Sequence, residues 1–426
     1  MCATRFLALA AAAPLCALAC GGGSGGEKAC DLSEPGTLCT IAGDGQNGYS
    51  GDDGPALEAE MSLPQDTLLS PSGDLLILDW NNHRIRKVTP DGEMVHVAGR
   101  GELGGTLDDP ANSDFNHPTG MIFDRTGESL IIAAWHNSQV TTLNLASGDI
   151  VDICGDGRRA YFGDEGPASK ASLDLPASIV FDPEGNLVIM DQANQVIRKI
   201  DGEGVIHRVA GRCVIDQPTP GGPGPCGDRE PLECPGGSGK LTCGDPASTC
   251  GTACNPGYAG DDGDALELRM AQPFGQSADP AGRIAYDQEG RLLFADTTNA
   301  LIRRIDTDGI VTRIAGLEPV DGKAQNGYSG DGGPATEAKL NQPVDIAIAD
   351  DGTIYFTDVS NNCVRAIDGD GNISTVVGRC GERGYEGDGG PATDALLKLP
   401  YGVQWANGTL YVADSGNSVV RAVEVE

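Results

Sequence analysis

Between Val344 and Gly378 the chain reads VDIAIAD, GTIYFTD, NCVRAID and ISTVVG, with Asp-Gly and Gly-Asn turns in between. The first run is apolar, the next two alternate apolar with polar positions, and the last closes on hydrophobic residues. Period-two alternation broken by tight turns predicts four consecutive antiparallel strands.

The same wording recurs. DWNNHRIRKV from Asp79, AWHNSQVTTL from Ala134, DQANQVIRKI from Asp191, DTTNALIRRI from Asp296, DVSNNCVRAI from Asp358 and DSGNSVVRAV from Asp414 are spaced 55 to 62 residues apart, except for one interval of 105. Once the long interval is credited with an insertion there are six copies. Four strands per unit repeated six times predict an all-β fold, a six-bladed β-propeller with four-stranded blades. The sixth copy stops after its third strand. TLCTIAG (37–43) has the phase of the missing outer strand, so an N-terminal strand is expected to close the ring and remove its open edges.

These units resemble the NHL repeat family, named for an Asn-His-Leu-type stretch at the position of DWNNHRIRKV. The resemblance runs over residues 39–426 apart from the insertion. It implies the propeller, but propellers carry scaffolds, receptors and enzymes alike. The family also resembles a peptidylglycine amidating lyase domain and, more distantly, sugar-lactone hydrolases, so a metal-dependent enzyme is the alternative to a binding scaffold. His83, His117 and His136 fall in two adjacent copies, which does not give that alternative a ring of ligands around the axis.

Two sets of residues repeat and are assigned to the scaffold. Asp79, Asp191, Asp296, Asp358 and Asp414 are each followed seven positions later by Arg86, Arg198, Arg303, Arg365 and Arg421, whereas the second copy has Ala134 and Thr141, losing both partners together. The other set is the loop GYSGDGGPA and its relatives at Gly48, Tyr161, Gly257, Gly327 and Gly384. Five copies suit a joint between blades better than a site for one ligand. Glycine permits positive φ, Asp331 can accept backbone N–H groups, and Pro334 suits the start of a short helical turn. The matching acids Asp52, Asp164, Asp261, Asp331 and Asp388 are also the candidate metal ligands, with calcium as the cofactor, although the EF-hand spacing is absent. GDGQNG (43–48) fits G-x-G-x-x-G without a following βαβ unit, which excludes a dinucleotide fold.

Function is expected where the symmetry breaks. The second copy lacks the glycine-rich loop and carries His117, Trp135 and His136 beside Trp80 and His83 of the first, a candidate aromatic, titratable ligand site. The long interval holds a Gly/Pro-rich insertion at 212–255, carried by the fourth blade. Its Cys213, Cys226, Cys234, Cys243, Cys250 and Cys254 are read as a disulfide-bonded knob of undetermined connectivity.

Composition decides where the propeller works. MCATRFLALAAAAPLCALAC has one early arginine and a short apolar run, a secretion signal over 1–19. Its Ala17-Leu18-Ala19-Cys20 end resembles the lipobox of bacterial lipoproteins, which implies lipidation at Cys20 and a tether over 20–36 from GGGSGG onward. The expected location is therefore extracytoplasmic, anchored to the outer membrane by lipid. The formal net charge is −33, and −34 once Arg5 is cleaved off. Such a surface repels phosphate backbones and excludes nucleic acid as a partner. What remains is a monomeric scaffold for protein or glycan at the loop face or the insertion. Eleven cysteines follow Cys20, an odd number, and Cys154 is expected to be the unpaired one because other copies carry Val or Ala there.

Overall fold

The computed structural model describes residues 30–103, 115–214, 254–275 and 277–425. Six antiparallel sheets radiate around one axis, their four main strands running outward in chain order except in blade six, whose outer strand comes from the N-terminus. Blade one consists of Asp66–Leu69, Leu75–Asp79, Arg84–Val88 and Glu93–Ala98. Blades two to five span 118–154, 176–210, 284–315 and 343–377. Blade six takes Pro400–Ala406, Thr409–Asp414 and Val419–Glu424 from the C-terminus and Thr37–Ala42 from the N-terminus, with Leu38 opposite Val423. The closure expected from TLCTIAG is present, and it ties the chain ends together without an open edge.

The alternating pattern works as it should. Residues of one parity meet the neighbouring blade on either side, and the core divides into clusters that lie between blades. Ile41, Met61, Ile77 and Tyr411 join blades six and one, while Leu293, Leu340, Phe356 and Ile373 join blades four and five. Each blade is held mainly by its two neighbours, as in other repeat architectures.

Between the second and third strands five blades make one turn of 3-10 helix, such as Trp80–Asn82, and blade three a hydrogen-bonded turn over 192–195, each ending in a left-handed residue. That residue is His83, Ser138, Gln195, Ala300, Asn362 or Ser418, with φ of 54° to 57°. The recurring asparagine precedes it and is retained for its side chain: Asn82 Nδ2 donates to Gly48 O at 2.7 Å and to Asp79 at 2.8 Å.

Each glycine-rich loop leaves the outer strand of one blade and binds the outer strand of the next. Gly378 N, at the end of blade five, donates to Ala392 O, and Gly390–Pro391 then pairs with Thr37–Leu38 of blade six. Gly387 in this loop has φ +99° and would drive a Cβ to 2.6 Å from Ala395 Cα, so the tight approach requires glycine there. The helical piece after the proline is a single 3-10 turn, Ala392–Asp394.

Cysteines pair as Cys30–Cys39, Cys213–Cys254 and Cys363–Cys380, and Cys154 is free and buried. The second bond closes the base of the insertion. Cys226, Cys234, Cys243 and Cys250 lie outside the described residues, as do Cys20 and the segment 1–19. Among the described residues no helix is long and apolar enough to cross a membrane.

Candidate functional site

The repeated Asp/Arg pair is one part of a larger joint that also absorbs the loop aspartates. In blade five the Arg365 guanidinium lies 2.5 Å from Asp331 and 3.5 Å from Asp358, and it donates to Ser329 O and Lys339 O at 3.0 Å. The other four blades repeat this. Loop acids Asp52, Asp164, Asp261 and Asp388 sit 2.6–2.7 Å from Arg86, Arg198, Arg303 and Arg421. The Asp79-type partners sit at 3.1–3.8 Å. A tyrosine of the same loop faces each guanidinium at 5.2–5.6 Å, a cation–π contact.

A guanidinium lies against each of the loop aspartates that the sequence also offered to calcium. Each loop carboxylate finds its cation inside the protein, and among the described residues no three His, Cys, Asp or Glu side chains are grouped to hold a metal. Burial works against ionisation of Asp331, yet Thr375, Arg365 and Tyr328 together hold its carboxyl below the usual range. The inner acids are fully buried, and desolvation pushes Asp79 up to about 6 and Asp358 up to about 7 against the opposing pull of their donors.

A second ionic cluster lies on the axis. Arg283, at the start of blade four, reaches Asp66 of blade one at 3.0 Å and Gln65 O at 3.2 Å, and also donates to Thr119 O of blade two. Asp345 of blade five stands in its field and accepts from Val403 N of blade six at 2.9 Å. One buried cation therefore engages three other blades directly and a fourth, blade six, through Asp345. Above it the chain detours: the inner strand of blade four is only Ile284–Tyr286, eleven residues after Pro273, whereas in blades two, three, five and six proline opens the inner strand. Gln192 holds the detour through Pro273 O at 2.8 Å, Asp279 O at 3.0 Å and Ala281 N at 3.1 Å. Ala278 and Trp80 both pack against the cluster that contains Trp135, and Ala281 packs with Val344 and Val359. The extra residues after Gln272-Pro273 were a visible signal of this detour. Nothing in Arg283 itself announced its role.

The candidate ligand residues do come together. His117 lies 4.4 Å from Trp80, 4.2 Å from His83 and 4.9 Å from His136 between ring centroids, and His136 stacks on Trp135 at 4.3 Å. Trp135 is fully buried and forms the floor, donating to Gln192 Oε1 at 3.2 Å. His83 is also buried, while Trp80, His117 and His136 are half-buried. With Asn116 Oδ1 as acceptor at 2.9 Å, His117 carries its proton on Nδ1, and the His136 Nδ1 atom 3.1 Å away must accept. Neutral His136 is then an N–H donor at Nε2. That atom and Trp80 Nε1 are buried without a hydrogen-bond partner among the described residues.

Burial, reinforced by neighbouring imidazoles for His117 and by Arg159 and His83 for His136, lowers these two rings to about 3 and about 4, and His83 is lowered as well. Below pH 6.5 the unfolded chain takes up protons that the folded cluster refuses, so stability falls as the pH falls. Going from pH 7 to pH 5 is expected to cost about 1 kcal/mol per imidazole once solvent screening of these half-buried rings is allowed for. Urea unfolding at both pH values checks this: a His117→Gln/His136→Gln variant should lose that part of the dependence, and an unchanged slope would refute the assignment.

Comparison with known proteins agrees with this architecture. A model of the Teneurin NHL domain matches residues 319–383. Teneurin-1 of Gallus gallus is 25% identical over 93% of this chain, and the chain spans only 14% of that protein's length. The chloroplastic Protein SUPPRESSOR OF QUENCHING 1 of Arabidopsis thaliana is 24% identical over 78% of the chain and 27% of its own length. Among solved structures, an auxiliary nutrient binding protein from Bacteroides thetaiotaomicron superposes with a TM-score of 0.57 at 14% identity, covering 90% of this chain and 75% of its own. Six phased repeats, their shared joints and these likenesses agree that the chain is a six-bladed β-propeller whose repeats are similar to those of the NHL family.

Proposed function

We propose that this propeller is an extracytoplasmic binding module, tethered by lipid at Cys20, that captures a protein or glycan on the face carrying Trp80, His83, His117 and His136. The observation that carries the reading is the pair of donors, Trp80 Nε1 and His136 Nε2, left without partners among the described residues where the repeated Asp/Arg pair is missing. A buried donor without an acceptor is costly, and a ligand oxygen would relieve it. Neutral imidazoles beside an indole favour an uncharged ligand with hydroxyl or carbonyl acceptors. Structural neighbours named as auxiliary nutrient binding proteins are consistent with ligand capture, and three disulfides among the described residues with a place outside the cytoplasm.

Affinity capture with the full chain, compared with Trp80→Ala and His136→Ala, tests the reading. Loss of the same captured species in both variants, with unchanged melting temperatures, is the expected result. Capture unaffected by either change would sink it. Cys20→Ala should release the chain from membrane fractions, and retention would refute the lipid tether.

A further inference from the structure

The turn between the second and third strands sets one residue at the same place in each blade: Trp80, Trp135, Gln192, Thr297, Val359 and Ser415. Where that residue is polar, the scaffold uses it. Thr297 Oγ1 donates to Pro343 O at 2.7 Å, Ser415 Oγ donates to Pro64 O, and Gln192 Nε2 donates to Pro273 O at 2.8 Å. Each of these prolines stands at the entry to the next blade's inner strand, so the six positions ring the mouth of the axis. Trp135 Nε1 is taken up by Gln192. Trp80 breaks the series, because its Nε1 is buried and has no acceptor among the described residues.

The blade-four detour crosses this ring. Gly282 N donates to Thr297 Oγ1 at 3.2 Å, Ala281 packs with Val359, and Gln192 Nε2 also donates to Asp279 O at 3.0 Å. The Asp279 side chain is exposed, and its carboxylate makes no hydrogen bond or ion pair among the described residues. Enough protein surrounds that carboxyl to raise it, and no cation opposes the shift. Tyr401, in the inner strand of blade six, is half-buried; burial and then the Asp279 charge raise its hydroxyl, so phenol and acid share the mouth.

Resting on the reading of this face as a ligand site, we propose that the ligand is a neutral saccharide, with one sugar ring seated at the axis mouth between Trp80 and Asp279. Trp80 Nε1 and His136 Nε2 call for acceptors and the Asp279 carboxylate calls for a donor, and a hydroxyl group supplies either. A sugar ring also has a face of C–H groups to set against an indole. Charged ligands suit the mouth less well. The Arg84 and Arg159 guanidiniums act on His83 and His136, which disfavours a cation there, while Asp279 on a chain of net charge −33 disfavours an anion.

A printed array of neutral, sialylated and sulfated glycans, probed with the labelled full chain, tests this. Signal should be confined to neutral glycans. Titration of the best-bound neutral glycan, followed by tryptophan fluorescence, should show saturable binding that Asp279→Ala weakens at least about tenfold, the loss expected for a charge-assisted hydrogen bond. The melting curve of that variant should be unchanged, since the carboxylate holds nothing in the scaffold. Binding dominated by sialylated or sulfated glycans, or an affinity that ignores Asp279→Ala, overturns the proposal. An empty array, with capture of a protein still abolished by Trp80→Ala, overturns the saccharide while leaving the binding module standing.

Discussion

Replacing Arg283 with methionine should lower the unfolding free energy by about 3–5 kcal/mol, the usual consequence of removing one partner of a buried ionic cluster. Asp66 and Asp345 would remain on the axis, away from water, with their compensating cation gone. Two backbone carbonyls, Gln65 O and Thr119 O, would lose their donor as well. The loss should depend on pH. Burial already raises both carboxyls, Asp345 to about 7, so the folded chain holds more protons than the unfolded one above the ordinary aspartate range. A group shifted this way contributes stability that is present at low pH and lost as the pH rises through its folded value. Without Arg283 both values climb further, so the deficit should be larger at pH 8 than at pH 5. Urea unfolding at the two pH values decides it, and a deficit below about 1 kcal/mol at pH 8 would show that the axis does not depend on this side chain.

Arg365→Ala should cost a comparable amount, about 3–5 kcal/mol, because it orphans Asp358, Ser329 O and Lys339 O together. The second blade shows how the joint can do without its arginine: Ala134 and Thr141 stand where Asp358 and Arg365 stand in the fifth. Copying that pair as Asp358→Ala/Arg365→Thr should therefore be less damaging than Arg365→Ala alone, since no charge is left buried. Asp331 survives in either case, being half exposed and still holding Thr375 N at 3.1 Å and Tyr328 at 2.9 Å. Thermal melts of the three proteins would check the order. A double variant worse than the single one would mean that the pair contributes more than mutual neutralisation.

The repeated joint also shows how far pattern reading reaches. Asp79 and Arg86 were readable as partners because both vanish together in blade two, and the loop was readable as a joint because it recurs. Their union was not. Asp52 lies 34 residues before Arg86, and only the return of the chain along the blade's outer edge brings the two to 2.7 Å. Read without that contact, an aspartate in a glycine-rich loop has calcium as a natural candidate partner. The ligand cluster was half readable: composition singled out Trp80, His83, His117, Trp135 and His136, but the burial of Trp135 as a floor depends on Gln192 of the next blade.

The sequence by itself determined the strand periodicity, the count of six units, the closure by residues 37–43 and the free Cys154, because each follows from local alternation or from comparing copies of one short unit. Only the tertiary structure decided what fills the axis and which cation each loop acid meets. Those depend on contacts between residues far apart in the chain, as in the 217 positions between Asp66 and Arg283, and no local pattern encodes a pairing made once.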